Sequence, residues 1–199
     1  MKKLVLLTAA FAFIATASFS QGISGTGHDF KGDSWSGNKI CEPCHTPHNA
    51  VTAVTDAPLW NHALSSSGGF TIYTSSTLNA TPGQPAGISK LCLGCHDGVV
   101  ALEDFGGVTT GTTKLVSSDA GYVGTDLSND HPVSLTYDVS DPELHATTNN
   151  LPTSGQVADV LFSGKIECAS GHDPHNNANG SFLIRTNANS ALCLACHNK

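Results

Sequence analysis

Apolar positions in this chain come in short runs that rarely sustain a period. The longest extends from Leu4 to Ala17, behind Met1-Lys2-Lys3 and ahead of Ser18-Phe19-Ser20. That layout is a cleavable secretory signal over residues 1–20, predicted to be cut after Ser20, because the run is too short to span a bilayer comfortably. No later segment approaches the roughly 20 apolar residues of a membrane helix, so no membrane span is expected after cleavage. Val133 to Tyr137 alternates apolar and polar residues and predicts a brief strand. The apolar clusters Val99 to Leu102 and Val157 to Leu161 predict helical turns. Between them, Ala63 to Gly87 and Gly106 to Ser128 are rich in Gly, Ser and Thr and read as loops. Other helices should be short and lie at the cysteine motifs. The expected fold is therefore mostly irregular, with short α-helices around those motifs and little β.

Composition sharpens this picture. Charged residues are 13% of the chain, against about 25% in an average globular protein. The formal charge is −7, and losing Lys2 and Lys3 with the signal leaves −9. No basic face is visible for phosphate, so nucleic acid is excluded as a partner. The acidity is diffuse and reads as a solubility feature.

Seven cysteines in an exported chain would ordinarily suggest disulfides. Their spacing points elsewhere. Cys41-Glu42-Pro43-Cys44-His45, Cys92-Leu93-Gly94-Cys95-His96 and Cys193-Leu194-Ala195-Cys196-His197 each read Cys-x-x-Cys-His, the attachment signature of c-type haem. Two thiols at this spacing reach the two vinyl groups of one porphyrin, and the adjacent His lies beneath the iron as proximal ligand. Zinc also uses paired thiolates, but it does not require a His directly after the second Cys, and an oxidising compartment is a poor place for zinc thiolates. A fourth segment, Cys168-Ala169-Ser170-Gly171-His172, has Gly171 where the second Cys would stand. A single thioether, iron ligation alone, or no haem with Cys168 left as a reactive thiol are all open on the sequence.

The chain is doubled. Lys39-Ile40 leads into Cys41 through His45-Thr46-Pro47-His48, and Lys165-Ile166-Glu167 leads into Cys168 through His172-Asp173-Pro174-His175. Leu91-Cys92-Leu93-Gly94-Cys95-His96 answers Leu192-Cys193-Leu194-Ala195-Cys196-His197. A fixed internal repeat of this kind outweighs any single motif. It predicts one domain over 21–199, built of two two-haem units at about 21–105 and 125–199.

Ten histidines are present. His45, His96, His172 and His197 are the proximal candidates; His48 and His175 are nominated as distal ligands by the repeat, and His28 and His131 by their place upstream of each unit. His62 and His145 remain, with a solvent-facing or propionate-bonding role as the plain expectation. His45 and His48 are three residues apart, so on one face of a turn their Cβ atoms lie only about 5–6 Å apart and cannot grip one iron from opposite sides. His48 must then serve a different haem, and His175 likewise. Closely spaced irons follow, because the peptide between such residues is short.

These motifs, with Leu59-Trp60-Asn61, His96-Asp97-Gly98, Asp130-His131-Pro132-Val133-Ser134 and Asp173-Pro174-His175-Asn176, resemble the doubled Cys-x-x-Cys-His tetrahaem cytochromes, including the extracellular ones that polymerise into conductive filaments. The resemblance implies bis-histidine haem c, little regular structure, and export of respiratory electrons at the periplasm or cell exterior. It also implies redox proteins or further copies of the chain as partners, and a role for a loop His such as His28 on a neighbouring subunit's haem. Gly171 departs from the family pattern. Electron transfer without catalysis is the leading expectation. The alternatives are a multihaem reductase of a small inorganic substrate, which needs one open iron, and a subunit scaffolding a larger cytochrome complex.

Overall fold

The computed structural model describes residues 22–152 and 155–199. The expected signal over 1–20 lies outside the described residues. Among these, regular structure amounts to two helices, α1 (Gly87–His96) and α2 (Cys168–Gly171), four 3-10 turns, and one antiparallel pair, β1 (Leu135–Thr136) with β2 (Lys165–Ile166). The fold is loop-rich with little β, as the broken apolar pattern predicts. No helix of the described residues is long and apolar enough to cross a membrane.

The local departures have local causes. The helix predicted over Val99 to Leu102 does not form. The carboxylate of Asp97 accepts the Val99 N–H at 2.8 Å, and Gly98 turns left-handed at φ 69°, which together stop α1 at its motif. Val100 and Ala101 are buried instead, since a short apolar run signals burial as readily as helix. Val157–Val160 forms a 3-10 turn. The strand predicted over Val133 to Tyr137 shrinks to β1, paired as Leu135 with Ile166 and Thr136 with Lys165, because Ser134 sits at φ 59°. Of the four motif segments, only Cys92–His96 and Cys168–Gly171 are α-helical; Cys193–Ala195 is a 3-10 turn, and 41–44 is a plain turn containing Pro43.

Polar contacts join the two units. Glu167, buried just ahead of α2, accepts hydrogen bonds from the Ser89 N–H at 3.2 Å, the Ser89 hydroxyl, and the Ser134 hydroxyl at 3.0 Å. An acidic side chain from the second unit thus caps the first turn of α1, where Ala86 offers no side-chain cap and the helix N–H groups favour negative charge. Ser89 in turn accepts the Cys168 N–H at 2.9 Å. The apolar core is thin. Tyr137, Leu151 and Val157 form its main cluster, with Leu144, Ile166 and Cys196 packed against it, while Leu91 and Leu93 bury the inner face of α1. So few buried side chains leave a small domain dependent on another apolar interior.

Candidate haem-binding site

The first and third motif segments are built the same way. At the first, Nδ1 of His45 donates to the Pro58 carbonyl at 2.7 Å, the Thr46 N–H to Leu59 O at 2.9 Å, and the Asn61 N–H to Cys44 O at 2.8 Å. At the third, Nδ1 of His172 donates to the Ser181 carbonyl at 2.9 Å, the Asp173 N–H to Phe182 O at 2.7 Å, and the Ile184 N–H to Gly171 O at 3.0 Å. Leu59 at φ 51° and Phe182 at φ 55° both adopt the left-handed region that bulky residues avoid. Such strain persists only where surrounding contacts hold it. Nδ1 of His96 likewise donates to Gly121 O at 2.6 Å. A carbonyl on Nδ1 fixes the tautomer and leaves Nε2 unprotonated for a metal. Gly171 therefore stands in place of a thiol without disturbing the histidine beside it.

Tertiary structure then sets histidines opposite one another. His28 faces His96 with ring centres 5.8 Å apart, His175 faces His45 at 5.9 Å with the rings nearly parallel, and His131 faces His197 at 6.3 Å. Two imidazoles bound to one iron at about 2 Å per bond have ring centres about 6 Å apart. Each pair joins a motif His to one distant in sequence. His175 thus stands across from the first motif rather than its own, and His28 across from the second motif of its own chain. Phe182, from the third segment, stacks on His28 at 4.6 Å. Among the described residues, no such pairing includes His48 or His172, both of which are exposed.

The surroundings disfavour the charged form of two of these histidines. Burial, reinforced by the charges of His96 and His175, pushes His28 down to about 4, and burial followed by the charge of His131 lowers His197. The cysteines cluster as well. All seven are free thiols. Cys44 lies near Cys95, and burial raises these thiols to about 11 and about 12. Interaction between the Cys92 and Cys168 thiols lowers Cys168 and raises Cys92. Neighbouring motifs thus bring their sulfurs near one another, Cys44 to Cys95 and Cys92 to Cys168. In the second unit, Arg185 lies close enough to Cys196 to oppose the upward effect of burial on that thiol, while Cys193 is exposed.

The chain's residues fit haem c better than bare metal. Among the described residues no group of three or more His, Cys, Asp or Glu converges on a metal-sized point, so a tetrahedral zinc site is not assembled. An open cleft lies at the first motif, lined by Cys41, His45, Pro47, Pro58 and Leu59. Several buried polar atoms also lack a partner among the described residues: Trp60 Nε1, Glu103 Oε2, and Nε and Nη1 of Arg185. Trp60 stands edge-on to His45 at 6.2 Å.

Some residues differ from what the spacing of motifs suggested. His62 is 2% exposed; its Nδ1 and Nε2 lie 2.8 and 3.0 Å from the carbonyl oxygens of Ala63 and Ala101. Nε2 also lies 3.4 Å from Cys95 Sγ, so this imidazole braces the loop against α1 instead of facing solvent. Gly94 belongs to the same packing, because a Cβ there would lie 2.6 Å from Ala63 O. His145 is tied through its backbone, its N–H donating to Cys196 O at 2.8 Å and its carbonyl accepting from the Tyr137 hydroxyl at 2.8 Å. The orienting carbonyls of Pro58, Gly121 and Ser181 carry no mark in the sequence. Arg185 carries one, as the chain's single arginine.

Over residues 161–199 the chain matches the family model described as Doubled CXXCH motif. The match takes in the segment that lacks a second Cys. No curated protein matches the chain. A doubled motif indicates a multihaem c-type cytochrome-like protein, with covalent haem c binding and electron transfer as its general chemistry.

Proposed function

We propose that this chain transfers electrons between closely spaced bis-histidine haems and turns over no substrate of its own. The observation that carries the reading is the set of three imidazole pairs with ring centres 5.8, 5.9 and 6.3 Å apart, each a motif His opposite a His from elsewhere in the chain. When bound, haem c supplies a one-electron iron couple. The protein's own work is to hold and insulate: Cys41 and Cys44, Cys92 and Cys95, and Cys193 and Cys196 tether three groups, and carbonyls orient His45 and His96 so that Nε2 points away from the backbone. Cys168 and His172 hold a fourth group through one thioether; the intact local geometry around His172 supports this. The neighbouring sulfurs of successive motifs keep the attachment points together, which tunnelling requires because its rate falls exponentially with distance.

Export by the signal over 1–20 would place the protein in the periplasm or outside the cell, handing electrons to other redox proteins or to further copies of itself. The pairing of His45 with His175 implies a counterpart, His172 with His48. Within one chain both are exposed and unpaired, so a second copy would complete the pair and extend the chain of haems into a homopolymer. The same open face on His172 favours the second reading, a reductase that admits a small inorganic ligand to one iron. Intact mass after denaturation, with low-temperature EPR of the native holoprotein, tests the proposal. Four covalent haems with low-spin signals in the assembled form are expected. Covalent haem with high-spin iron that persists on assembly, and that binds added nitrite, would favour the reductase, and no covalent haem would overturn both.

A further inference from the structure

The chain's one arginine lies where an unpaired charge is not ordinarily left. Arg185 is 3% exposed, and its Nε and Nη1 have no hydrogen-bond partner among the described residues. None of the ion pairs among those residues includes it; they join Lys39 to Glu42, His175 to Asp173, and Lys199 to Glu143. A buried guanidinium cannot shed its proton, so it requires an anion or a full set of acceptors.

The polypeptide has no carboxylate to spare for it. Buried Asp97 is held by the Ser65 hydroxyl and the Val99 N–H, Asp104 by the Gly111 N–H, and Glu167 by Ser89 and Ser134. Glu103 keeps one oxygen without a partner, but its other oxygen is fixed by the N–H groups of Thr112 and Thr113 at 2.7 and 2.9 Å. Residues 1–21 and 153–154 contain no Asp or Glu at all. No carboxylate of the described residues pairs with Arg185, so an anion that faces it comes from outside the chain.

Its position narrows the source. Ile184, the preceding residue, is anchored by its N–H to the Gly171 carbonyl at 3.0 Å, directly beside His172. Arg185 therefore sits beside the Cys168–His172 segment and, along the chain, ahead of the Cys193–His197 segment, both in the second unit. We propose that Arg185 binds a propionate carboxylate of a haem in that unit. This rests on the reading that the motifs carry haem c. Arginine suits the task because it stays charged when buried, sheds water readily and donates to carboxylates through several fixed N–H groups. A cation held there also favours the reduced iron, so Arg185 raises the midpoint potential of the haem it serves.

The structure of the matured holoprotein tests the contact directly. A propionate oxygen within hydrogen-bond distance of Nε or Nη1 is expected, and a guanidinium bonded only to protein carbonyls or water would overturn the proposal. Spectroelectrochemical titration of Arg185→Met and Arg185→Lys tests the consequence. One haem should move to lower potential in Arg185→Met and shift less in Arg185→Lys, which keeps the charge. Unchanged potentials at an unchanged haem count would also overturn it. If Arg185→Met fails to mature, the Lys variant and the holoprotein structure still decide. Absence of covalent haem in the unmodified protein, read by mass after denaturation, would instead remove the underlying reading.

Discussion

Alanine at His175 and alanine at His48 are equivalent changes by the internal repeat, yet the structure gives them different consequences. His175 stands opposite His45, while His48 opposes no imidazole of its own chain. On the proposed reading, the three imidazole pairs would hold three irons low-spin in the monomeric holoprotein. His175→Ala removes one partner, so one third of the low-spin EPR intensity should convert to high-spin, and the affected haem should be the one on Cys41 and Cys44. His48→Ala should convert none in the monomer and one haem per chain in the assembled form. Polypeptide contacts cannot confuse the result. The His175 side chain is 56% exposed and its ion pair is with Asp173, at 3.7 Å, and exposed pairs of this kind contribute about 0–1 kcal/mol. The assay is quantitative EPR on samples whose mass is fixed by light scattering. Undiminished low-spin intensity in His175→Ala, or a loss in monomeric His48→Ala, would refute the pairing.

Two further expectations concern the junction of the units. A Cβ on Gly171 would meet nothing within 4 Å, so Gly171→Cys should fold and complete the fourth attachment site; the pyridine haemochrome spectrum should then shift toward that of doubly attached haem, and an unchanged spectrum would argue that no haem sits at Cys168. Glu167→Ala strips the carboxylate that serves Ser89 and Ser134. Hydrogen bonds to a charged group contribute about 1.5–3 kcal/mol each, so a loss of about 3–5 kcal/mol is expected in denaturant unfolding of the holoprotein, and a change under about 1 kcal/mol would contradict the capping role.

The sequence alone determined the cysteine motifs and their doubling, which depend on a few adjacent residues. Cys-x-x-Cys-His is a local device, its geometry set within five positions, so three attachment sites and the damaged fourth are legible without coordinates. The doubled flanks were legible too, and the structure repeats them bond for bond: Thr46 on Leu59 matches Asp173 on Phe182. Loop-richness followed from short apolar runs and sparse charge. Helix ends were not legible at Val99 to Leu102, where Asp97 and Gly98 outweigh the apolar pattern. Only the tertiary structure decided which histidines face each other, because partners such as His45 and His175 are joined by long segments with no period to fix their path. It also decided that His62 braces a loop against α1 and that the chain's one arginine is buried. Those outcomes depend on where loops cross, and loops without a hydrophobic period take their course from hydrogen bonds and close packing that exist only once the chain is folded.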